Sequence, residues 1–569
     1  MSRISRTVHL GDVANHQRLS WAPVASRILT CVAVATGVGC HGVIERPPGG
    51  GGGRAPDPAS PACASAGPQP GPSPLRRLTR AEYDNTAADL LGGGGALPGA
   101  QLPDEEIALG FTNNADAQSV SALLIEGYEN AASALATAAT ADVPKLLGCD
   151  PAARGEDACV RDFLPRFGRQ AYRRPLDAGE VDRLLAFYSS SKQTYDFATA
   201  VRMTVQAMLQ MPDFLYRIEN DGAERVGRPS PYELASRLSY LLWSSMPDAP
   251  LLDAAASGGL DSPAGVRAQA QRLLDDPRSR RAVDSFFGQW LDLNGIAKVE
   301  KDAALFPRFT KEVRALLRTE TTLFTEDVVF SGGGLSDLLL RPTTFMNRDL
   351  AAFYGRSGPA GEAFEKVDLD PTRQAGVLTQ AGLLATSAKV NQTSPVTRGL
   401  FVRERLLCAP PPPPPPNVNT TPPAPDPALS TRDRFERHRA DPGCAGCHAL
   451  MDPLGVGFEH FDAQGLWRDI DGGKAIDATG EMTATSDIDG PFDGAVELAR
   501  KLSGSRDVEV CMVKQWFRFG YGRSEGDADQ CALQALSSAL RGGGFEQLLL
   551  ALTQSDTFLY RTNDAGGAP

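Results

Sequence analysis

Apolar residues recur at three- and four-residue spacing over residues 181–188, 197–209, 232–243 and 309–330, the period that lines one face of an α-helix. Each stretch predicts an amphipathic helix with its apolar stripe turned to a core. Thr79-Arg80-Ala81-Glu82 opens another, because a threonine followed three residues later by a glutamate forms a capping box ahead of residues 83–91. Ser394-Pro395 sets a capping serine before a proline at the first helical position, and this helix is expected to run to about Cys408. The prolines at 410–416 then forbid both helix and ladder, predicting a polyproline II spacer roughly 20 Å long at about 3.1 Å per residue. Strand patterns are scarce. Only the polar, turn-rich residues 469–489 predict a short β-hairpin. The expected fold class is mainly α, a multi-domain helical protein.

Two helical stretches end alike. "VQAMLQMPDFLYR" (205–217) and "LLALTQSDTFLYR" (549–561) share a closing Phe-Leu-Tyr-Arg in one register, and each follows an aromatic and basic segment, "FGRQAYRRP" or "FRFGYGR". A duplicated helical unit accounts for this, with Phe214 and Phe558 as core anchors and Arg217 and Arg561 as polar ends; two unrelated amphipathic helices with similar exits are the alternative.

A chain of 569 residues, 42% of them hydrophobic, is long enough for several domains with real cores. Its formal net charge of −12 argues against a nucleic-acid partner, which needs a basic face. Arg18 and Arg27 precede an apolar stretch, 28–39, too short to span a bilayer, so residues 1–39 are expected to be an export signal. Val38-Gly39-Cys40 resembles a bacterial lipoprotein cleavage box, which predicts a lipid on Cys40 and a membrane contact through it; cleavage without lipid is the alternative. The Gly-, Pro- and Ala-rich residues 40–73 read as a tether.

Export changes how the ten cysteines read. In an oxidising compartment, Cys149 with Cys159 and Cys511 with Cys531 are close enough in sequence to be expected as disulfides. With Cys31 in the export signal, Cys40 the candidate lipid site and Cys63 in the tether, Cys408, Cys444 and Cys447 remain. "HRADPGCAGCHALMDPLGVGFEHFD" (438–462) places Cys444, Cys447 and His448 as Cys-x-x-Cys-His, two thiols one helical turn apart with an imidazole directly after. A c-type haem needs two thioethers and an axial imidazole on the same side, so haem c is the expected cofactor, with His448 the metal ligand. Zinc held by Cys408, Cys444, Cys447 and His438, or a bare disulfide, are the alternatives. Met451 follows His448 by three residues, so on a continuing helix it stays on the proximal side. His438 is the favoured sixth ligand, with His460 and Met482 as further candidates. Arg398, Arg403 and Arg405 either face haem propionates or form a solvated basic face. Asp452-Pro453 and Gly455 to Gly457 suggest a turn after the haem helix, with Phe458, Phe461 and Trp467 as core packing. A Ser-His-Asp hydrolase is disfavoured, since every histidine after the export signal except His41 sits in 438–462.

"LRRLTRAEYDNTAADLLG", "FGRQAYRRPL", "ASRLSYLLWSSMPDAPLL", "TSPVTRG" with "LLCAPPPPPPPNV", the 438–462 segment and the C-terminal "FGYGR" and "SDTFLYR" together resemble, in this order, the bacterial multidomain family of domain-of-unknown-function 1592 proteins with their 1587, 1595, 1588 and 1585 companions. The resemblance covers nearly all of 75–561 and implies export and one haem-c-like motif. The expected division is 74–145, 146–222 and 228–372 as helical domains, 373–487 as the haem-c-like domain with its spacer, and 488–563 as a C-terminal helical domain. The function expected is an exported, lipid-anchored monohaem electron-transfer protein facing the periplasm or cell surface, served by the haem-attachment machinery and a redox partner the sequence does not identify. A haem enzyme of peroxidase or oxygenase type with an open sixth position, or a haem-free surface scaffold, are the alternatives.

Overall fold

Thr79 caps its helix as the pattern predicts: the Thr79 hydroxyl accepts from the Glu82 backbone N–H at 3.2 Å, and the Glu82 carboxylate accepts from the Thr79 N–H at 2.8 Å. The computed structural model describes Cys63 and residues 67–93, 98–219, 225–413, 423–426, 428–439 and 442–562. Residues 1–39, expected as an export signal, Cys40, most of the expected tether and Pro414 to Pro416 lie outside the described residues. The periodic stretches form the helices Ala178–Thr194, Phe197–Gln210, Pro231–Trp243 and Lys311–Phe330. The fold is mainly α, and among the described residues the strands form five two-stranded sheets. One of these is the expected hairpin, Ile470–Asp471 with Lys474–Ala475.

Two hydrophobic cores lie within one compact unit. The first gathers residues from Leu78 to Tyr240, with Tyr83 edge-on to Phe214 at 5.8 Å. The second runs from Leu234 to Leu559 and centres on Phe286 stacked on Trp516 at 3.7 Å. Phe111, from the N-terminal part of the chain, joins this second core, and Asn113 next to it donates to the Phe519 carbonyl at 2.8 Å.

The two Phe-Leu-Tyr-Arg segments share one local structure. Pro212–Leu215 and Asp556–Leu559 are single-turn helices, each followed by a two-residue strand that carries the arginine. Each is clamped by a buried arginine from elsewhere in the chain. Arg173 donates to the carbonyls of Asp213, Phe214 and Tyr216, while Arg237 donates to those of Thr557, Phe558 and Tyr560. This repetition supports duplication, with Phe214 and Phe558 both buried as anchors.

Cys149 pairs with Cys159 as expected. Cys511 does not pair with Cys531: Cys511 bonds Cys408, and Cys531 bonds Cys63. The two cysteines sit on separate helices, Arg506–Tyr521 and Gln530–Leu552, and packing turns each towards a distant stretch of chain. Spacing along the sequence constrains pairing only when the chain between doubles back at once, as the single-turn helix Pro151–Arg154 and the positive φ of Gly155 make it do between Cys149 and Cys159. The helix capped by Ser394 also departs from expectation. It is α-helical over Pro395–Phe401, continues as a π-helical turn over Val402–Leu406, and Cys408 has a left-handed φ of 49°.

Candidate functional site

The Cys-x-x-Cys-His motif lies on a helix, Pro442–Val456. No turn forms at Asp452-Pro453: the helix runs through Pro453, which forgoes one intrahelical hydrogen bond, and ends at Val456. This continuation places His448 and Asp452 one turn apart on the same face. The Asp452 carboxylate, 3% exposed, lies 3.0 and 3.1 Å from His448 Nδ1 and accepts its proton in the Nδ1–H tautomer. The Nε2 of that tautomer keeps its lone pair, as a metal-ligating imidazole requires. Asp452 joins the candidate site although the sequence points to a turn there; its signal is the i, i+4 spacing to His448, masked by the proline that follows.

Cys444 is buried, Cys447 is half-buried, and both are free thiols. The other six described cysteines are all in disulfides. Cys408 is thereby removed from the four-ligand zinc set, and Cys444 and Cys447 form no bare disulfide. Cys447 Sγ lies 3.7 Å from the Pro412 carbonyl, so the proline-rich segment passes beside the motif. Two thiols left free one turn apart, beside an imidazole fixed by a carboxylate, fit a c-type haem.

A short helix supports this one at close range. A Cβ on Gly399 would stand 1.9 Å from the Met451 carbonyl, and one on Gly455 would stand 1.8 Å from the Pro395 carbonyl. Neither site has room for a side chain. Behind the contact Arg398 is fully buried and donates to the carbonyls of Phe458, Phe461 and Asp462, each at 2.9 Å. Its Glu459 partner lies at 3.6 Å, and Glu459 also pairs with Arg468 at 2.8 Å. Burial pulls the Arg398 pKa down to about 10 and pushes that of Glu459 up.

Arg398 is thus spent on the loop after the Cys-x-x-Cys-His helix and is not free for a propionate. Arg403 donates to the Thr483 carbonyl at 2.9 Å, and the Arg405 guanidinium lies over Gly110. Phe458 and Phe461 are buried in the larger core, with Trp467 edge-on to Phe461 at 5.4 Å, as expected. Met451 is buried as packing. Of the sixth-ligand candidates, Met482 is fully buried in the larger core, and the His460 ring stacks on Trp467 at 4.4 Å with Nδ1 against the Arg468 carbonyl at 3.0 Å. His438 lies on the helix Thr431–Arg439, and its side chain is outside the described residues.

Five family models match the chain in order, each described as a protein of unknown function: DUF1587 over 76–141, DUF1595 over 159–219, DUF1592 over 230–355, DUF1588 over 374–471 and DUF1585 over 489–558. The fourth has the short name PSCyt3 and contains the Cys-x-x-Cys-His helix. No curated protein and no solved structure gives a significant match. With all five domains present in series, the chain belongs to the multidomain DUF1592 family and is a cytochrome-c-related multidomain protein.

Proposed function

We propose that the protein is an exported, lipid-anchored monohaem c-type electron-transfer protein. The observation that carries this reading is the state of the cysteines: six described ones are paired, and the two left as thiols are those of the haem motif. Three disulfides also support an oxidising compartment. Cys444 and Cys447 would hold the group through thioethers and His448 through Nε2. When bound, haem supplies one-electron chemistry at its iron. Asp452 keeps the proton on Nδ1 and fixes the ring orientation. The buried Arg398–Glu459–Arg468 network holds the chain after the helix, so the motif sits on a rigid support. Val38-Gly39-Cys40 supports an anchor, and the stretch between it and Cys63, where the Cys63–Cys531 disulfide shortens the expected 40–73 tether, leaves the folded part free to meet a redox partner.

The test is the intact mass of protein made with the haem-attachment machinery and extracted with acid acetone. The mass should include one haem and, on a chain beginning at Cys40, one lipid. A haem-free mass overturns the cofactor, and an unlipidated Cys40 or a different mature start removes the anchor.

A further inference from the structure

The first core ends in a basic cavity that the haem reading does not use. It measures about 110 Å³ and is lined by Tyr172, Arg173, Arg174, Arg217, Arg237 and nearby acids. Four arginines face three carboxylates there, Asp213, Glu219 and Glu233. Two of the carboxylates are committed to ion pairs, Asp213 with Arg174 at 2.6 Å and Glu219 with Arg237. The third, Glu233, accepts from the Ser230 N–H at 2.7 Å in a capping box.

Arg173 and Arg217 have no carboxylate in contact with them; the charges of Glu82 and Glu219 reach Arg217 only from a distance. Arg173 is 4% exposed, and among the described residues its hydrogen bonds run to carbonyls and to the Tyr240 hydroxyl. Arg217 is 8% exposed, and among the described residues its guanidinium makes no hydrogen bond and no ion pair. Both guanidiniums lie over the Tyr240 ring, at 5.7 and 5.0 Å. Tyr172 is 94% buried, and its hydroxyl also has no partner among the described residues. Burial lowers the pKa of Arg217 and brings that of Arg76, its partner across the strand pair, down to about 9.

A buried cation with no carboxylate in contact is costly, and a buried hydroxyl without an acceptor adds to the cost. Here two such cations and one such hydroxyl converge on a single cavity of a size that holds one small group. Arginine's planar fork suits an oxyanion, and the Tyr172 O–H supplies a further donor. We infer that this cavity is a binding site for an oxyanion, a sulfate, phosphate or carboxylate group, held by Arg217 and Tyr172 with Arg173 fixing the positive field behind them. The ion itself and the same group at the end of a larger molecule share this chemistry.

The experiment is thermal unfolding and calorimetric titration of the holoprotein with sodium sulfate, inorganic phosphate, acetate and glycerol phosphate, against sodium chloride at equal ionic strength. At least one oxyanion should raise the unfolding temperature beyond chloride and titrate to one site. Binding of glycerol phosphate as well as phosphate assigns an esterified ligand, whereas binding of the free ions alone assigns the ion. Tyr172→Phe removes a hydroxyl with no internal bond to lose, so its unfolding temperature without ligand should match the wild type. Its affinity for the oxyanion should fall about tenfold, the worth of one charge-assisted hydrogen bond. Arg217→Gln should abolish binding. No oxyanion effect beyond chloride, or an effect of equal size in both variants, overturns the site.

Discussion

A carboxylate that takes a proton's share from an imidazole makes the other ring nitrogen a stronger donor, and a stronger axial donor favours the oxidised iron. Asp452 is placed to do this to His448, at 3.0 Å and out of solvent. Asp452→Asn keeps the shape and an acceptor but removes the charge, so under the proposed haem c reading the variant should retain one haem by mass and show a higher midpoint potential than the wild type. An unchanged potential would assign Asp452 to packing alone. Glu320 is a second residue with a measurable consequence. It is buried, receives hydrogen bonds from the Tyr354 hydroxyl at 2.7 Å and Thr344 at 2.8 Å, and desolvation raises its pKa from 4.5 to about 7. The folded protein therefore binds this proton more tightly than the unfolded chain. The stability it contributes is complete below about pH 4.5 and is lost as the pH rises towards 7, by on the order of 3 kcal/mol. Urea midpoints should fall between pH 5 and 8 in the wild type, and Glu320→Gln should flatten that fall. Neither role was legible in the sequence, because Asp452 needed the helix to run through Pro453 and Glu320 is one acid among 69 acidic residues until burial singles it out.

At the scale of elements the sequence was readable wherever a local rule decided the outcome. Capping residues and apolar period located the helices Arg80–Leu91 and Pro231–Trp243, and the polyproline run ended the helix before it. What the sequence did not disclose was which elements touch. Gly399 and Gly455 look unremarkable in a helix, where glycine costs about 1 kcal/mol against alanine. In the structure each faces the other helix's backbone at a distance no Cβ allows, so that cost is accepted for a close crossing that seats the haem-motif helix. Likewise, Arg398 read as a candidate for a propionate because its own helix shows only its sign of charge. Its three carbonyl partners lie some sixty residues further on, brought back by the fold.

For the whole molecule, disulfides join parts that sequence distance keeps apart. Cys63 and Cys531 are 468 residues apart, and Cys408 and Cys511 are 103 apart. The second of these fixes the point where the proline-rich segment begins, two residues before Pro410, and that segment passes the Cys447 thiol at Pro412. The disulfide therefore ties the helix Arg506–Tyr521 to the proline-rich strap beside the haem motif. In the chain-entropy account a loop of about 100 residues is worth about 4.7 kcal/mol, so the double variant Cys408→Ser/Cys511→Ser should unfold at lower urea. It should also release the strap, and in haem-free protein Cys447 should react faster with a thiol reagent than in the wild type. Non-reducing peptide mapping of the wild type should recover Cys63–Cys531, Cys149–Cys159 and Cys408–Cys511, with Cys444 and Cys447 outside every disulfide. Recovery of a Cys511–Cys531 peptide would overturn this framework, and an unaltered Cys447 rate in the double variant would detach the strap from the disulfide that is argued to hold it.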